Sequence, residues 1–221
     1  MEHLLEILNP HFLLRNALYA GLIVGLVCPQ VGIFFVLRRM ILLGIALPQV
    51  SNAGIAFAFL LHTLGWHFFY HTESEKVMAL TGSIIFTIVT IFILAILERK
   101  RKGFTENRIG FTYVIAGAAS ILFVSWNPYG QTEVLSMLKG EIISIPDVYL
   151  WSMFAIYGAI FIFLTGFHRN FILVSYDIDM AVTVGKKVII WDILLYIIIG
   201  IIISLGVMTV GPLVIFGFLL I

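Results

Sequence analysis

The chain has little charge. Of its 221 residues only 11% are Asp, Glu, Lys or Arg, where a soluble domain carries about 25%. So little charge cannot build a water-facing surface, and a soluble enzyme domain is excluded. Cysteine is also scarce. Cys28 stands alone inside an apolar stretch, which rules out disulfides and multi-thiolate metal sites within one chain. The first ten residues include Glu2 and Glu6 and lack a basic segment leading into a short apolar run with a small-residue cleavage site. A cleavable signal peptide is therefore not expected. Neither a Walker A sequence nor His-Glu-x-x-His occurs, so this chain offers neither a P-loop for ATP nor the zinc motif of an intramembrane protease. The formal net charge of +1 gives no reason to expect nucleic-acid binding.

Apolar residues are what the chain has in abundance. They make up 61% of it, with a mean hydropathy of +1.10. They gather into runs near residues 12–37, 46–64, 77–97, 109–126, 148–167 and 188–208. Each is long enough to cross a hydrocarbon core of about 30 Å, which takes ~20 helical residues. A seventh run, 210–221, stops without a polar flank, so a C-terminal truncation with at least one further span missing is expected. The fold class expected is an all-α membrane protein, a polytopic transmembrane helix bundle of about seven spans in a single domain over residues 1–221.

Lysine and arginine orient such a bundle, because loops rich in them stay in the cytoplasm. Arg38, Arg39, Arg99, Lys100, Arg101, Lys102, Arg108, Arg169, Lys186 and Lys187 fall on one side, against Arg15, Lys76 and Lys139 on the other. Ten against three places the N-terminus outside. Two connections exceed simple loops. The outer segment 127–147 holds a short amphipathic run, 133–138, closed by Gly140, which predicts a re-entrant or interfacial helix. The inner segment 168–187 has Asp177 and Asp179, then Ala181 and Gly185, the order of a short helix with acids early and glycine at its end.

Several polar residues lie in or beside the spans. Gln49, Ser51 and Asn52 serve either interhelical hydrogen bonding or a substrate path, since polar groups are costly in hydrocarbon. His62, His67 and His71, with Glu73 and Glu75, either capture a metal such as zinc or form ordinary interfacial composition beside Trp66. Asp192, just inside span six, is expected to pair with Lys187 or Arg169. Pro29 is expected to kink span one, with Gln30 satisfying the freed carbonyl, and Pro48 to start span two. Close helix contact is expected at Gly21 and Gly25, which have GxxxG spacing, and at Gly117, Ala118 and Ala119.

Short motifs in fixed order add a family resemblance. Gly21-Leu-Ile-Val-Gly25 leads to Gly32-Ile-Phe-Phe-Val-Leu-Arg-Arg-Met40, then to Gly44-Ile-Ala-Leu-Pro-Gln49 and Ala53-Gly-Ile-Ala56. Leu138-Lys-Gly140, Ser175-Tyr-Asp-Ile-Asp-Met-Ala181 with Gly185, and Val210-Gly-Pro-Leu-Val-Ile-Phe216 follow. Together they resemble the permease subunits of the zinc/manganese/iron ABC importers (the ABC-3 family), relatives of the vitamin B12 and siderophore importers. The resemblance implies a homodimer with a second permease copy, two cytoplasmic ATP-binding subunits, and an external substrate-binding protein. It implies that ATP is held by the partner subunits and no cofactor by this chain, which would lie in the cell inner (plasma) membrane. It also implies an ATPase coupling segment at Tyr176, Asp177, Asp179, Ala181 and Gly185.

One departure bears on cargo. The resemblance implies an aspartate and a histidine four residues apart on span two as ion contacts, and Ile45 and Gln49 stand at those positions. A glutamine carbonyl is a weak transition-metal ligand and isoleucine is none. Two expectations stay open: a divalent metal served by groups such as Gln49 and Asn52, which share a helix face at i, i+3, or a chelated metal or small organic cargo. A secondary transporter is the rival class, and it calls for inverted repeats or a row of intramembrane charges. No clear repeat is seen.

Overall fold

The computed structural model describes residues 15–64, 74–99, 105–126 and 147–220. Nine helices occur among the described residues: α1 (Arg15–Leu37), α2 (Leu43–Thr63), α3 (Ser74–Arg99), α4 (Thr105–Ser125), α5 (Asp147–Gly166), α6 (His168–Tyr176), α7 (Ile178–Thr183), α8 (Val188–Val210) and α9 (Pro212–Leu220). Five of them, α1 to α4 and α8, are long and apolar enough to cross a membrane. A sixth span results if α5 and α6, bent by 70° at their junction, count as one. This agrees with the six runs read from hydropathy. The seventh run appears as α9, whose nine residues reach only about 14 Å at 1.5 Å per residue.

Helix α2 is the axis of the bundle: 83% of its apolar stretch is buried, against 22% for each of α3 and α4. Those two pack on it, while α8 and α9 join it to α1 and α5. Small residues allow the closest crossing. A Cβ on Gly54 would stand 2.6 Å from the Gly82 carbonyl oxygen, and one on Gly82 would stand 2.6 Å from the Ala58 Cβ, so only hydrogen fits at either position. Gly32 of α1 likewise lies against the Leu219 carbonyl of α9. The expectation of close contact holds for Gly25, where a Cβ would stand 3.1 Å from the Phe218 ring of α9, and is corrected for Gly21, where a Cβ would meet nothing within 4 Å among the described residues. GxxxG spacing marks a smooth strip of helix without saying what packs on it.

The corner between α1 and α2 follows from the run Leu37-Arg38-Arg39-Met40. Arg39 takes a left-handed φ of 57°, its N–H bonds to the Val36 carbonyl at 3.0 Å, and the Met40 N–H reaches back to Phe35 at 2.9 Å. These are the two reverse bonds of a Schellman ending, with buried Met40 as its apolar anchor. Bonded turns at residues 40–46 then carry the chain directly into α2. Helix α2 therefore begins at Leu43, and Pro48 is its sixth residue, a correction to its expected place in the first turn. Pro29 lies inside α1, which continues through it as one helix. At the far end Gly211, with φ 94°, takes a conformation that a side chain disfavours and separates α8 from α9.

Candidate transport path and docking face

Gln49 and Asn52 share a face of α2, but Ser51 points elsewhere. Its hydroxyl, fully buried, lies 2.6 Å from that of Ser83 on α3. Thr87 donates to the Ser83 carbonyl at 2.8 Å, and Ser204 of α8 donates to the Thr87 hydroxyl at 3.3 Å. Ser51 thus belongs to a run of buried hydroxyls that joins three helices. The Ser51 hydroxyl is bonded to Ser83 and has no exposed surface, unlike the half-buried Gln49 on the same helix.

Asn52 is only 7% exposed, and its carbonyl oxygen Oδ1 is buried without a hydrogen-bond partner among the described residues. Such a group is costly to leave unmade. Half-buried Gln49 sets its amide against α4, its Nε2 standing 3.4 Å from where a Cβ on Gly117 would be. Gly117 therefore makes room for a polar side chain. Half-buried Ile45 stands one turn before Gln49. The resulting face is polar and uncharged. Among the described residues no group of three or more His, Cys, Asp or Glu could hold a metal ion. Of the outer-loop histidines, His62 is exposed in the last turn of α2, while His67 and His71 lie outside the described residues, as do Glu73 and the run 133–138.

On the side that carries most of the basic residues, α7 is a six-residue helix capped at both ends. The Asp177 carboxylate accepts the Met180 N–H at 2.9 Å, an N-cap of the usual kind. Gly185 has φ 79°, and its N–H and that of Lys186 bond back to Val182 at 2.9 Å and Ala181 at 3.0 Å, a second Schellman ending. Ala181 is fully buried and pins the helix, whereas Tyr176, Ile178, Met180, Val182 and Val184 are exposed. Asp179 is exposed as well. An apolar surface with acids at one end projects where water is expected, and exposed patches of this kind mark interaction sites.

Beside α7 lies a charged knot. Arg38 donates to Asp192 at 2.6 Å, to the Tyr196 hydroxyl at 2.8 Å and to the Ser175 hydroxyl at 3.2 Å, and its guanidinium stands 5.1 Å from the centre of the Tyr196 ring. The two charged side chains are 10% and 9% exposed. Burial works against the guanidinium's charge, and Tyr196 and Asp192 more than restore it, so its pKa lies above the ordinary arginine value. The expected partners of Asp192, Lys187 and Arg169, are both exposed. Arg38 takes their place because the Schellman corner directs it into the bundle. Similarly, Gln30 donates to Thr165 on α5 at 3.4 Å, so its amide bridges helices.

Residues 11–221 match the family described as the ABC 3 transport family. The chain belongs to it. It is 24% identical over 220 residues to the manganese import system permease protein ScaB of Streptococcus gordonii, covering 100% of this chain and 74% of that protein. It is 26% identical to a probable iron transport system membrane protein of Haemophilus influenzae, covering 96% and 69%. The manganese transport system membrane protein MntC of Halalkalibacterium halodurans is 23% identical, covering 90% of this chain and 63% of its own length. Among solved structures, PsaBC from Streptococcus pneumoniae in complex with Fab superposes with a TM-score of 0.73 at 23% identity, covering 95% of this chain and 70% of that one.

This ABC 3 chain is thus a multi-pass membrane permease. The Arg38–Asp192 pair had a sequence signal: opposite charges at the same-side ends of two spans. Their separation of 154 positions is what hid the partner.

Proposed function

We propose that this chain is the transmembrane permease subunit of an ATP-binding cassette importer that moves a divalent metal ion, of the manganese, iron or zinc class, into the cytoplasm. The family match over residues 11–221 carries the reading, and relatives named for manganese and iron transport support the cargo class. Two cytoplasmic ATP-binding subunits dock on residues 176–185, where capped α7 offers its exposed apolar surface. A second copy completes the path, an external binding protein delivers cargo, and ATP stays on the partner subunits. The basic side faces the cytoplasm, so the N-terminus lies outside a cell inner (plasma) membrane.

In this reading ATP binding closes the two ATPases and moves both α7 helices, which changes the side of the membrane to which the path opens. Gln49 and Asn52 meet the cargo on the way. Their neutral amides favour weak, transient contact, as conduction requires. The absence of a charged ligand at Ile45 and Gln49 favours a second reading in which the ion travels with its own ligands as a chelate. Proteoliposomes holding the permease, its ATPase and its binding protein separate the two. ATP-dependent accumulation of free Mn²⁺, Fe²⁺ or Zn²⁺ is expected, reduced by Asn52→Ala. Uptake of none of the three ions, with uptake of a chelate instead, would replace the first reading with the second.

A further inference from the structure

We propose that Arg38 is a positioning residue that links movement of the docking helix to the helix lining the path; this inference rests on the importer reading above. A single guanidinium spans three parts of the fold. Arg38 directly follows α1, two residues before the bonded turns that start α2, it holds Asp192 and Tyr196 on α8, and it holds Ser175, two residues before the N-cap Asp177 of α7. Arginine sets five donors in a rigid fork, so that one side chain can meet three partners in three directions, whereas lysine holds its three donors on a single nitrogen.

The surroundings make the knot stiff. Phe171 of α6 meets Phe34 of α1 at 5.9 Å between ring centres and Trp191 of α8 at 5.1 Å, edge to face in both cases. Packed aromatic elements of this kind pass on displacement, because close-packed interiors compress little. Helix α6 is therefore clamped to α1 and α8 through its rings and through Ser175. A push on α7 would pass through α6 and this packing to the α1–α2 corner, beyond which lie Gln49 and Asn52. The Ser175 bond, neutral and the longest of the three at 3.2 Å, is the joint between docking segment and knot.

A purely structural role makes a different prediction. A buried ion pair gives little net stability and is often replaced without loss by apolar residues of similar volume. If Arg38 and Asp192 only fill space, Arg38→Met with Asp192→Leu would transport normally.

The test uses the full complex of permease, ATPase and binding protein in proteoliposomes. It reads membrane insertion, ATPase co-purification, basal ATP hydrolysis and cargo moved per ATP. Wild type must first show ATP-driven uptake, and failure there counts against the importer reading. With that control positive, Arg38→Lys and the Arg38→Met/Asp192→Leu pair are expected to insert, bind the ATPase and keep basal hydrolysis. Cargo per ATP should fall roughly tenfold, the size of an ordinary coupling free energy between sites. Wild-type cargo per ATP in both would overturn the inference. Should either fail to insert, Ser175→Ala decides, since it removes one hydroxyl and leaves the ion pair whole. A several-fold fall in cargo per ATP supports the link, and an unchanged ratio overturns it.

Discussion

A hydroxyl inside a membrane bundle has few options, and Ser51 and Ser83 show which one this chain takes. Either oxygen can donate to the other at 2.6 Å, and neither meets solvent. Interhelical bonds of this type contribute about 0.6 kcal/mol on average, because the unfolded helices in lipid also find partners. Ser51→Ala and Ser83→Ala are each expected to lower the unfolding free energy by about that amount, and the double variant by little more than one alone. Unfolding in mixed micelles measures the cycle. Fully additive losses would mean that the pair contributes nothing through its contact. The sequence showed that Gln49, Ser51 and Asn52 were polar where polarity is expensive. It did not show which served packing, because adjacent residues on a helix differ in direction by 100° and the neighbour at each bearing comes from a distant segment. The same limit hid Arg38, whose sign and position suited the positive-inside rule and whose partners did not appear in any local pattern.

At the scale of the element, α7 is the part most fully legible beforehand. Its caps are local chemistry: Asp177 accepting from the third residue after it and Gly185 turning left-handed at its end. Helix α6 was not legible. Its nine residues, HRNFILVSY, read as a polar inner segment, and isolated helices of that length are marginal. It exists because Phe171 and Val174 are buried beneath its neighbours, and that packing belongs to the tertiary structure. Because α7 has only six residues, its caps carry a large share of its stability. An N-cap is worth about 1 kcal/mol, and a β-branched residue forced into the Gly185 conformation costs roughly 1–2 kcal/mol. Asp177→Lys and Gly185→Val are accordingly expected to weaken ATPase co-purification while the permease still inserts in the membrane. Wild-type co-purification by both variants would mean that the ATPase docks elsewhere.

Across the whole molecule, hydropathy located the spans within a few residues because a hydrocarbon core imposes the same demand on every helix that crosses it. Packing obeys no such common rule, which is why the close crossing of α2 and α3 turned out to be Gly54 on Gly82, while of the two GxxxG glycines only Gly25 meets a neighbour, the Phe218 ring. Orientation rests on a third kind of information, the ten-to-three division of basic residues, and it decides whether α7 is available to an ATPase at all. The chain's chemistry makes the test direct. Its one cysteine, Cys28, is fully buried, so a Cys28→Ala background removes the native thiol at the cost of a small change in packing. Leu64 at the end of α2 and Tyr176 at the end of α6 are 67% and 78% exposed, and the charge division assigns them to opposite sides. A membrane-impermeant maleimide added to intact cells is expected to label Leu64→Cys at once and Tyr176→Cys only after the membrane is opened. The reverse pattern would put α7 outside the cell, beyond the reach of cytoplasmic ATPases, and would remove both the docking role of α7 and the purpose assigned to Arg38.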